Sequence, residues 1–580
     1  MRNMNNLSLL LNNICAFGYS FDYHRFMDNL DDARGIQEQI LLRIIHKNRN
    51  TQFGKQFRFK SIRSVKDFQA IIPIMTYEDY LPWINQIIEG QRNVLTSERV
   101  HLLEPTGGSS GGSKLIPYTA SFKKEFQQAV GTWLFDLFQQ FPEIKHGKSY
   151  WSISPINFER KKTVGGIPIG FEDDTDYLGW FGSLMAHTLA VPQQIKKVKN
   201  IENFRYLTSY FLLLAEDLSF ISVWNPTFLM LIIENMELSI ASLIKDIFDG
   251  KISLPFEENI GYLEKFIKAS PRRARALEKI FSSKENINYS KVWTNLKLIS
   301  CWMDGPSKFY AQKLIEKFLH VVVQGKGLIA TEGIVSIPLS SIRWHVPAYH
   351  SHFLEFQKEG EKLAQLIDEL EENEVYQITI TTGGGFYRYN LQDKVQVIGK
   401  FKGLPILEFL GRDKASDLVG EKLNDAHVSK VIQNALNHYK IECNFVMLAP
   451  QQEDTGAYYV LFIESKNSLD PEILSKITQL IDQGLKENFH YKYACDLKQI
   501  LPLRVFIVKE DAHKIYINRC LSEGQKFGDI KHAYLDRRSD WSNYFDGEQL
   551  FPSSIILKGP CEDGEDRGSG EAHVVSDLKF

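Results

Sequence analysis

Cysteine is scarce in this chain, with six residues in 580, at Cys15, Cys301, Cys443, Cys495, Cys520 and Cys561. They form no CxxC pair and no metal-ligand spacing. This argues against a disulfide scaffold and a cysteine-held metal, and leads us to expect reduced thiols in a cytoplasmic protein. Long apolar runs are also missing: residues 210–233 come closest, and Glu216, Asp217 and Asn225-Pro226 cut them, so no membrane span is expected. At the N-terminus Leu7 and Leu9 to Leu11 are interrupted by Asn12 and Asn13, which is too short and polar for a signal peptide. Charge excess is lacking too. The 68 Lys and Arg against 71 Asp and Glu leave a formal net charge of −3, which gives no electrostatic footprint for nucleic acid or an anionic membrane. There are no internal repeats, and the Gly- and acid-rich residues 559–580 are expected to be a disordered tail.

What the chain does have is length for two or more domains and an ordinary globular composition, 43% hydrophobic and 24% charged. Its most informative stretch is EPTGGSSGGSKLIPYT, residues 104–119. An apolar run at 100–103 opens into a loop with four glycines in six residues and re-emerges through Lys114. Glycine lets backbone N–H groups approach an anion closely, and Thr106, Ser109 and Ser110 add hydroxyl donors. The apolar flanks make the loop a hairpin tip rather than a flexible linker. Lys114 is followed by Leu115, so this is not the GxxxxGK[ST] loop of nucleotidases. Thr119 is expected to cap a helix carrying Phe122, Phe126, Val130, Trp133, Leu137 and Phe141 at helical spacing.

Further along, residues 30–95 read as helical, with a start at Thr76 followed by Glu78 and Asp79. The acids Glu172, Asp173, Asp174 and Asp176 are expected on a solvated loop rather than around a cation. Helical patterns occupy 203–316, with Asn225-Pro226 as a start signal. Residues 321–324 and 328–337 read as strands, the second carrying Thr331-Glu332-Gly333. Burying Glu332 is costly unless it is paired or metal-bound, which makes it a candidate magnesium ligand. In TTGGGFYRYNLQD, residues 386–391 read as a strand with Asp393 at its end, where it could accept two ribose hydroxyls; Arg412 offers a charged fork for phosphate. His345, His350 and His352 are expected to be structural or substrate-lining rather than a zinc site. After about residue 410 the pattern changes to a small α/β unit, with strands near 444–448, 457–463 and 504–508 and a helix opening at Asp470-Pro471.

Taken together, NTQFGK (50–55), TYEDYLPWINQIIEG (76–90), the glycine loop, ISVWNPTF (221–228), LKLISCWMDG (296–305), GKGLIATEG (325–333), SHFLEF (351–356), YRYNLQD (387–393), FLGRDKASDLVGEKL (409–423) and GQKFGDIKHAYL (524–535) resemble the Gretchen Hagen (auxin-responsive) family of acyl-acid amido synthetases. These belong to the adenylate-forming ligase superfamily, and the likeness is greater to microbial members than to plant ones. The resemblance covers nearly the whole chain except its ends.

It implies an α/β protein with a large N-terminal ATP- and acyl-acid-binding domain (1–410), a smaller mobile C-terminal domain (411–558) and the tail. It also implies the cofactors ATP and Mg²⁺, and adenylation of a small carboxylic acid followed by transfer to an amino acid, without an obligate protein partner. Thr106, Gly108, Ser109, Ser110, Gly111 and Lys114 would hold the ATP phosphates, and Thr331 and Glu332 the α-phosphate side and Mg²⁺. Asp393 would hold the ribose, and Arg412 the nucleotide near a hinge at Lys414. Lys531 would be the mobile lysine reaching the acyl carboxylate and α-phosphate. Ala330-Thr331-Glu332 replaces the plant-type tyrosine and double serine, so the acyl pocket does not transfer from plant members. Two other functions share the fold: a ligase with a thiol acceptor such as coenzyme A or a carrier protein, and a catalytically inactive binding protein.

Overall fold

The computed structural model describes residues 2–550 apart from 107–113, 153–161, 171–185, 283–286, 305–306, 362, 413–414, 417, 419–420, 422, 454–455, 468, 497–498 and 526. The chain is mixed α/β and clusters into two compact units, one comprising Met1–Ala415, Asn424–Ser429 and His513–Leu535, the other Ser416–Leu423, Lys430–Ala512 and residues from Asp536 onward. Residues 513–535, which composition assigns to the C-terminal domain, are thus gathered into the first unit. No single helix among the described residues is long and apolar enough to cross a membrane.

Helices of both units start where local chemistry directs. Thr76 opens Tyr77–Ile88 with a capping box closed by Asp79, whose carboxylate accepts from the Thr76 backbone N–H at 2.8 Å. Thr119 caps Ala120–Gln140, its hydroxyl accepting from the Phe122 N–H at 3.1 Å. Asn225 with Pro226, and Asp470 with Pro471, open Pro226–Leu238 and Pro471–Leu485 by the same means.

The first unit contains a parallel sheet of Lys148–Trp151, Leu218–Ser222, Leu298–Cys301 and Val322–Gly325, in that order. Its two middle strands are buried throughout, as expected where helical crossovers cover both faces of a parallel sheet. Those crossovers include Ile201–Leu214, Pro226–Leu238 and Lys308–Lys317. An antiparallel sheet follows, ordered Phe353–Lys358, Val375–Thr381, Tyr389–Phe401 and Leu404–Arg412. Tyr389–Phe401 alternates buried and half-buried positions along most of its length, the signature of a sheet with one face on the core.

Two sequence expectations change here. Residues 328–337 are not one strand: Ile329 pairs with Ile334 and Ala330 with Gly333, so Thr331 and Glu332 form the tip of a tight turn. Gly333 permits it, since a Cβ there would lie 2.4 Å from Ile380 Cδ1. Asp393 does not end a strand but lies inside Tyr389–Phe401, opposite Arg412. Arg388 and Gln392, at φ of 50° and 61°, mark an irregular start to that strand. Arg388 sustains its backbone conformation by donating to the Gln69 and Ile72 carbonyls and to the Glu355 carboxylate.

In the second unit Cys443–Glu453, Gly456–Ser465, Arg504–Val508 and Gly547–Leu550 form a four-stranded sheet, its central pair parallel and its outer pairs antiparallel. Pro471–Leu485 buries Leu474, Ile477, Ile481 and Leu485.

Candidate active site

The glycine loop is held as a hairpin. Leu102–Pro105 pairs antiparallel with Leu115–Tyr118, and the Thr106 N–H donates to the Lys114 carbonyl at 2.9 Å. Gly108, Ser109, Ser110 and Gly111 lie outside the described residues, but the two ends of their loop are fixed. Two tyrosines fasten this hairpin to its surroundings. The Tyr77 hydroxyl accepts from the Leu115 N–H at 2.8 Å, and the Lys114 ammonium lies 5.3 Å from the Tyr77 ring centroid. Tyr118 donates its hydroxyl to the Thr331 carbonyl at 2.7 Å, so a hydrogen bond joins the hairpin to the Thr331-Glu332 turn.

Glu332 is 5% exposed, and the Tyr389 hydroxyl donates to it at 3.4 Å. Burial raises the Tyr77 phenol pKa, the hydrogen bond with Leu115 opposes the rise, and the Glu332 carboxylate adds to it. Lys114, Tyr77 and Glu332 therefore share one neighbourhood. Asp393 is buried, and its backbone stands across the strand pair from that of Arg412. Lys414 lies outside the described residues.

Lys531 sits in the segment gathered into the first unit. Phe527 packs 4.9 Å from Phe228 and 6.3 Å from Phe204, with the Arg205 guanidinium 5.1 Å from its ring. Asn225, the cap of Pro226–Leu238, donates its side-chain amide to the Ile530 carbonyl, and Tyr516 donates to the Lys531 carbonyl at 3.0 Å. These contacts set the exposed Lys531 ammonium 3.8 Å from the centroid of the Trp302 indole. Trp302 in turn lies 5.7 Å from Trp224, and its backbone N–H donates to the Trp224 carbonyl at 2.8 Å.

Next to this pair stands a group that sequence reasoning missed. Lys326, read as part of a turn, is 2% exposed. Its ammonium donates to the Ser222 hydroxyl at 2.7 Å and lies 4.6, 5.1 and 5.8 Å from the ring centroids of Trp133, Trp224 and Trp151. Cation–π attraction from several indoles offsets part of the cost of burying the charge. Burial pushes the thiol of neighbouring Cys301 up to about 12, with the Lys326 charge opposing. Glu125 is a second omission: its buried carboxylate accepts from the Gly383 N–H at 3.0 Å and from His352 Nδ1 at 3.0 Å. A Cβ on Gly383 would lie 2.5 Å from Glu125 Oε1, which explains the glycine.

The three histidines go to separate partners. His345 faces Asp304 at 3.5 Å, His350 bonds the Thr132 hydroxyl and the Gln128 carbonyl, and His352 bonds Glu125. Among the described residues no group of three or more His, Cys, Asp or Glu side chains is placed to hold a metal by itself. The acids Glu172, Asp173, Asp174 and Asp176 lie outside the described residues.

This architecture is that of an acyl acid amido synthetase fold. The solved structure of AtGH3.15 acyl acid amido synthetase in complex with 2,4-DB superposes with a TM-score of 0.80 at 19% identity, covering 89% of this chain and 95% of that one. The chain belongs to the GH3 family: the family's N-terminal domain model matches residues 22–322, its central domain 345–412 and its C-terminal domain 426–539. Similar curated relatives include indole-3-acetic acid-amido synthetase GH3.4 of Arabidopsis thaliana, 23% identical over 86% of this chain and 88% of the relative. Jasmonoyl--L-amino acid synthetase JAR4 of Nicotiana attenuata is 23% identical over 78% of this chain and 82% of the relative.

Proposed function

We propose that this chain is an ATP-dependent acyl acid amido synthetase acting in the cytoplasm on a small carboxylic acid and an amino acid. The observation that carries the reading is the hydrogen bond from Tyr118 to Thr331, which couples the phosphate-loop hairpin to the turn bearing the buried Glu332. The named relatives support it, being amido synthetases matched over most of their length, and the free cysteines among the described residues agree with a reducing compartment.

In the first half-reaction the acid's carboxylate oxygen attacks the α-phosphorus of ATP, and pyrophosphate leaves with the electrons of the broken P–O bond. In the second, the amino acid's amine attacks the acyl carbon, AMP leaves and the amine gives up a proton. The chain's part is positioning and charge neutralisation. The backbone and hydroxyls of Thr106, Gly108, Ser109, Ser110 and Gly111, with Lys114, would hold the phosphates. Thr331 would lie on the α-phosphate side, Asp393 would accept from the ribose, and Arg412 would meet the nucleotide beside a hinge at Lys414. Lys531, steadied by Trp302, would neutralise charge between the two reacting anions.

A lone buried carboxylate at a turn tip suits Mg²⁺, which takes most of its ligands from phosphate and water. Glu332 would hold it, and when bound it would offset charge on the phosphates. ATP–pyrophosphate exchange across a panel of carboxylic acids tests the first half-reaction. Product analysis with amino acids and with coenzyme A as competing acceptors tests the second. A thioester product would move the chain to the thiol ligases, and no exchange with any acid would make it an inactive member of its fold.

A further inference from the structure

The helix Arg2–Asp28 has two apolar faces, and among the described residues only one is packed within the fold. Cys15, Ala16, Tyr19 and Phe26 are buried. Tyr19 lies against Gly131 of Ala120–Gln140, Tyr23 packs 4.9 Å from Phe135, and Phe26 packs 4.8 Å from Tyr349. The other face carries Leu7, Leu10, Ile14, Phe17 and Phe21 at spacings of three, four, three and four. Phe17 and Phe21 are 70% and 66% exposed, and the three aliphatic residues between 40% and 58%. Phe17 and Phe21 meet edge to face at 5.6 Å, so the two rings form one apolar surface.

We propose that this stripe pairs with the same stripe on a second copy of the chain, the two helices antiparallel. Three observations favour that occupant. The spacing alternates three and four, the period at which two helices keep a seam in contact. The order of sizes is complementary to its own reverse. Antiparallel packing about Ile14 sets Leu7 against Phe21 and leaves Leu10 one residue from the position opposite Phe17, so small side chains meet large ones, whereas parallel packing would stack small on small and large on large. An isologous contact of this kind closes at two copies. Finally, at these exposures the stripe presents on the order of 500 Å² per copy, the size of the largest apolar patch on a typical monomer. Pairing would remove about 1,000 Å², the lower bound for a specific interface. A lipid surface fits less well, because the helix carries only Arg2 and Arg25 as Lys or Arg residues, balanced by Asp22 and Asp28, and lacks the basic polar face of interfacial helices.

Sedimentation of the full-length chain at micromolar concentration tests the proposal. The wild type is expected as a dimer and the Phe17→Glu/Phe21→Glu variant as a folded monomer with an unchanged far-ultraviolet circular dichroism spectrum, since neither side chain is buried within its own chain. The melting temperature should fall with the loss of the dimer and cease to depend on protein concentration. Orientation is read by oxidative cross-linking, with the wild type as blank. Ile14→Cys should link to itself, whereas Leu7→Cys should link to a Phe21→Cys chain and not to itself. A monomeric wild type, a dimer that survives the double substitution, or self-linking of Leu7→Cys would each overturn the proposal. So would flotation with neutral phosphatidylcholine vesicles that the double variant abolishes.

Discussion

Replacing Trp302 with alanine removes the surface on which the Lys531 ammonium rests, 3.8 Å from the ring centroid. A cation over an indole at a water-accessible site contributes about 0.5–1 kcal/mol, and more only when desolvated. Lys531 is exposed and Trp302 half-buried, so the lower range applies, equivalent to about a two- to fivefold slowing. If Lys531 acts on charge that develops during adenylation, Trp302→Ala should lower the ATP–pyrophosphate exchange rate by that factor. It should leave amide formation from a supplied acyl-adenylate unchanged. Trp302→Phe, which keeps a ring face, should recover most of the loss. Lys531→Ala should itself slow adenylation by roughly two to four orders of magnitude, as loss of a comparable electrostatic donor does. The decisive measurement is the double-mutant cycle, in which Trp302→Ala should have no further effect once Lys531 is gone. Equal losses in the presence and absence of Lys531 would refute the reasoning, and so would equal losses in both half-reactions.

Asp393→Ala should raise the apparent KM for ATP while the protein stays folded, since losing two charge-assisted hydrogen bonds to ribose costs about 2–4 kcal/mol; an unchanged KM would remove Asp393 from the nucleotide site. Glu332→Gln should shift the Mg²⁺ concentration for half-maximal exchange upward with little change in ATP affinity at saturating Mg²⁺, read by titrating the metal at fixed ATP. The buried His350 imidazole has its pKa lowered by burial to about 4. It stays neutral in the fold where the unfolded chain binds a proton, so its contribution is fully present above about pH 6.5 and lost as pH falls towards 4. This amounts to about 1.4 kcal/mol per pH step and on the order of 3 kcal/mol in all. Urea midpoints across that range should show the decline, and His350→Gln should flatten it.

Features that depend on a few neighbouring residues were legible in the sequence. Thr76, Thr119, Asn225 and Asp470 each cap the helix they announce, because a cap is a bond to a backbone N–H two or three residues away. The hairpin around the glycine loop is likewise local. The turn at Thr331-Glu332 was not legible, because two residues without turn chemistry interrupt an apolar run and only Gly333 hints at it. Asp393 looked like a strand end because nothing in YRYNLQD shows that Arg388 is pinned by Glu355, Gln69 and Ile72, which lie far from it in the chain. The Lys326 cluster draws its indoles from Trp133 on a helix, Trp151 on a strand and Trp224 in a connection, so no window of sequence contains it. The helix Arg2–Asp28 was not foreseen, since Leu7 and Leu9 to Leu11 were weighed only as a signal peptide, and which of its apolar faces finds a partner within the chain depends on residues as distant as Gly131, Phe135 and Tyr349.

The chain passes from one compact unit to the other at 415/416, 423/424, 429/430, 512/513 and 535/536. Neither unit is therefore a contiguous stretch of polypeptide, and no single cut releases one intact. A fragment ending at residue 415 lacks the 513–535 strap, including Phe527, which Phe204 and Phe228 contact, and Lys531, which Trp302 contacts. On the ribosome the first unit cannot be complete until residue 535 has emerged, after most of the second has been synthesised. Birth order and assembly order thus differ in this protein. A nascent chain stalled before residue 513 should expose the aromatic surface that the strap covers, and so be a stronger chaperone client than one stalled just after 535.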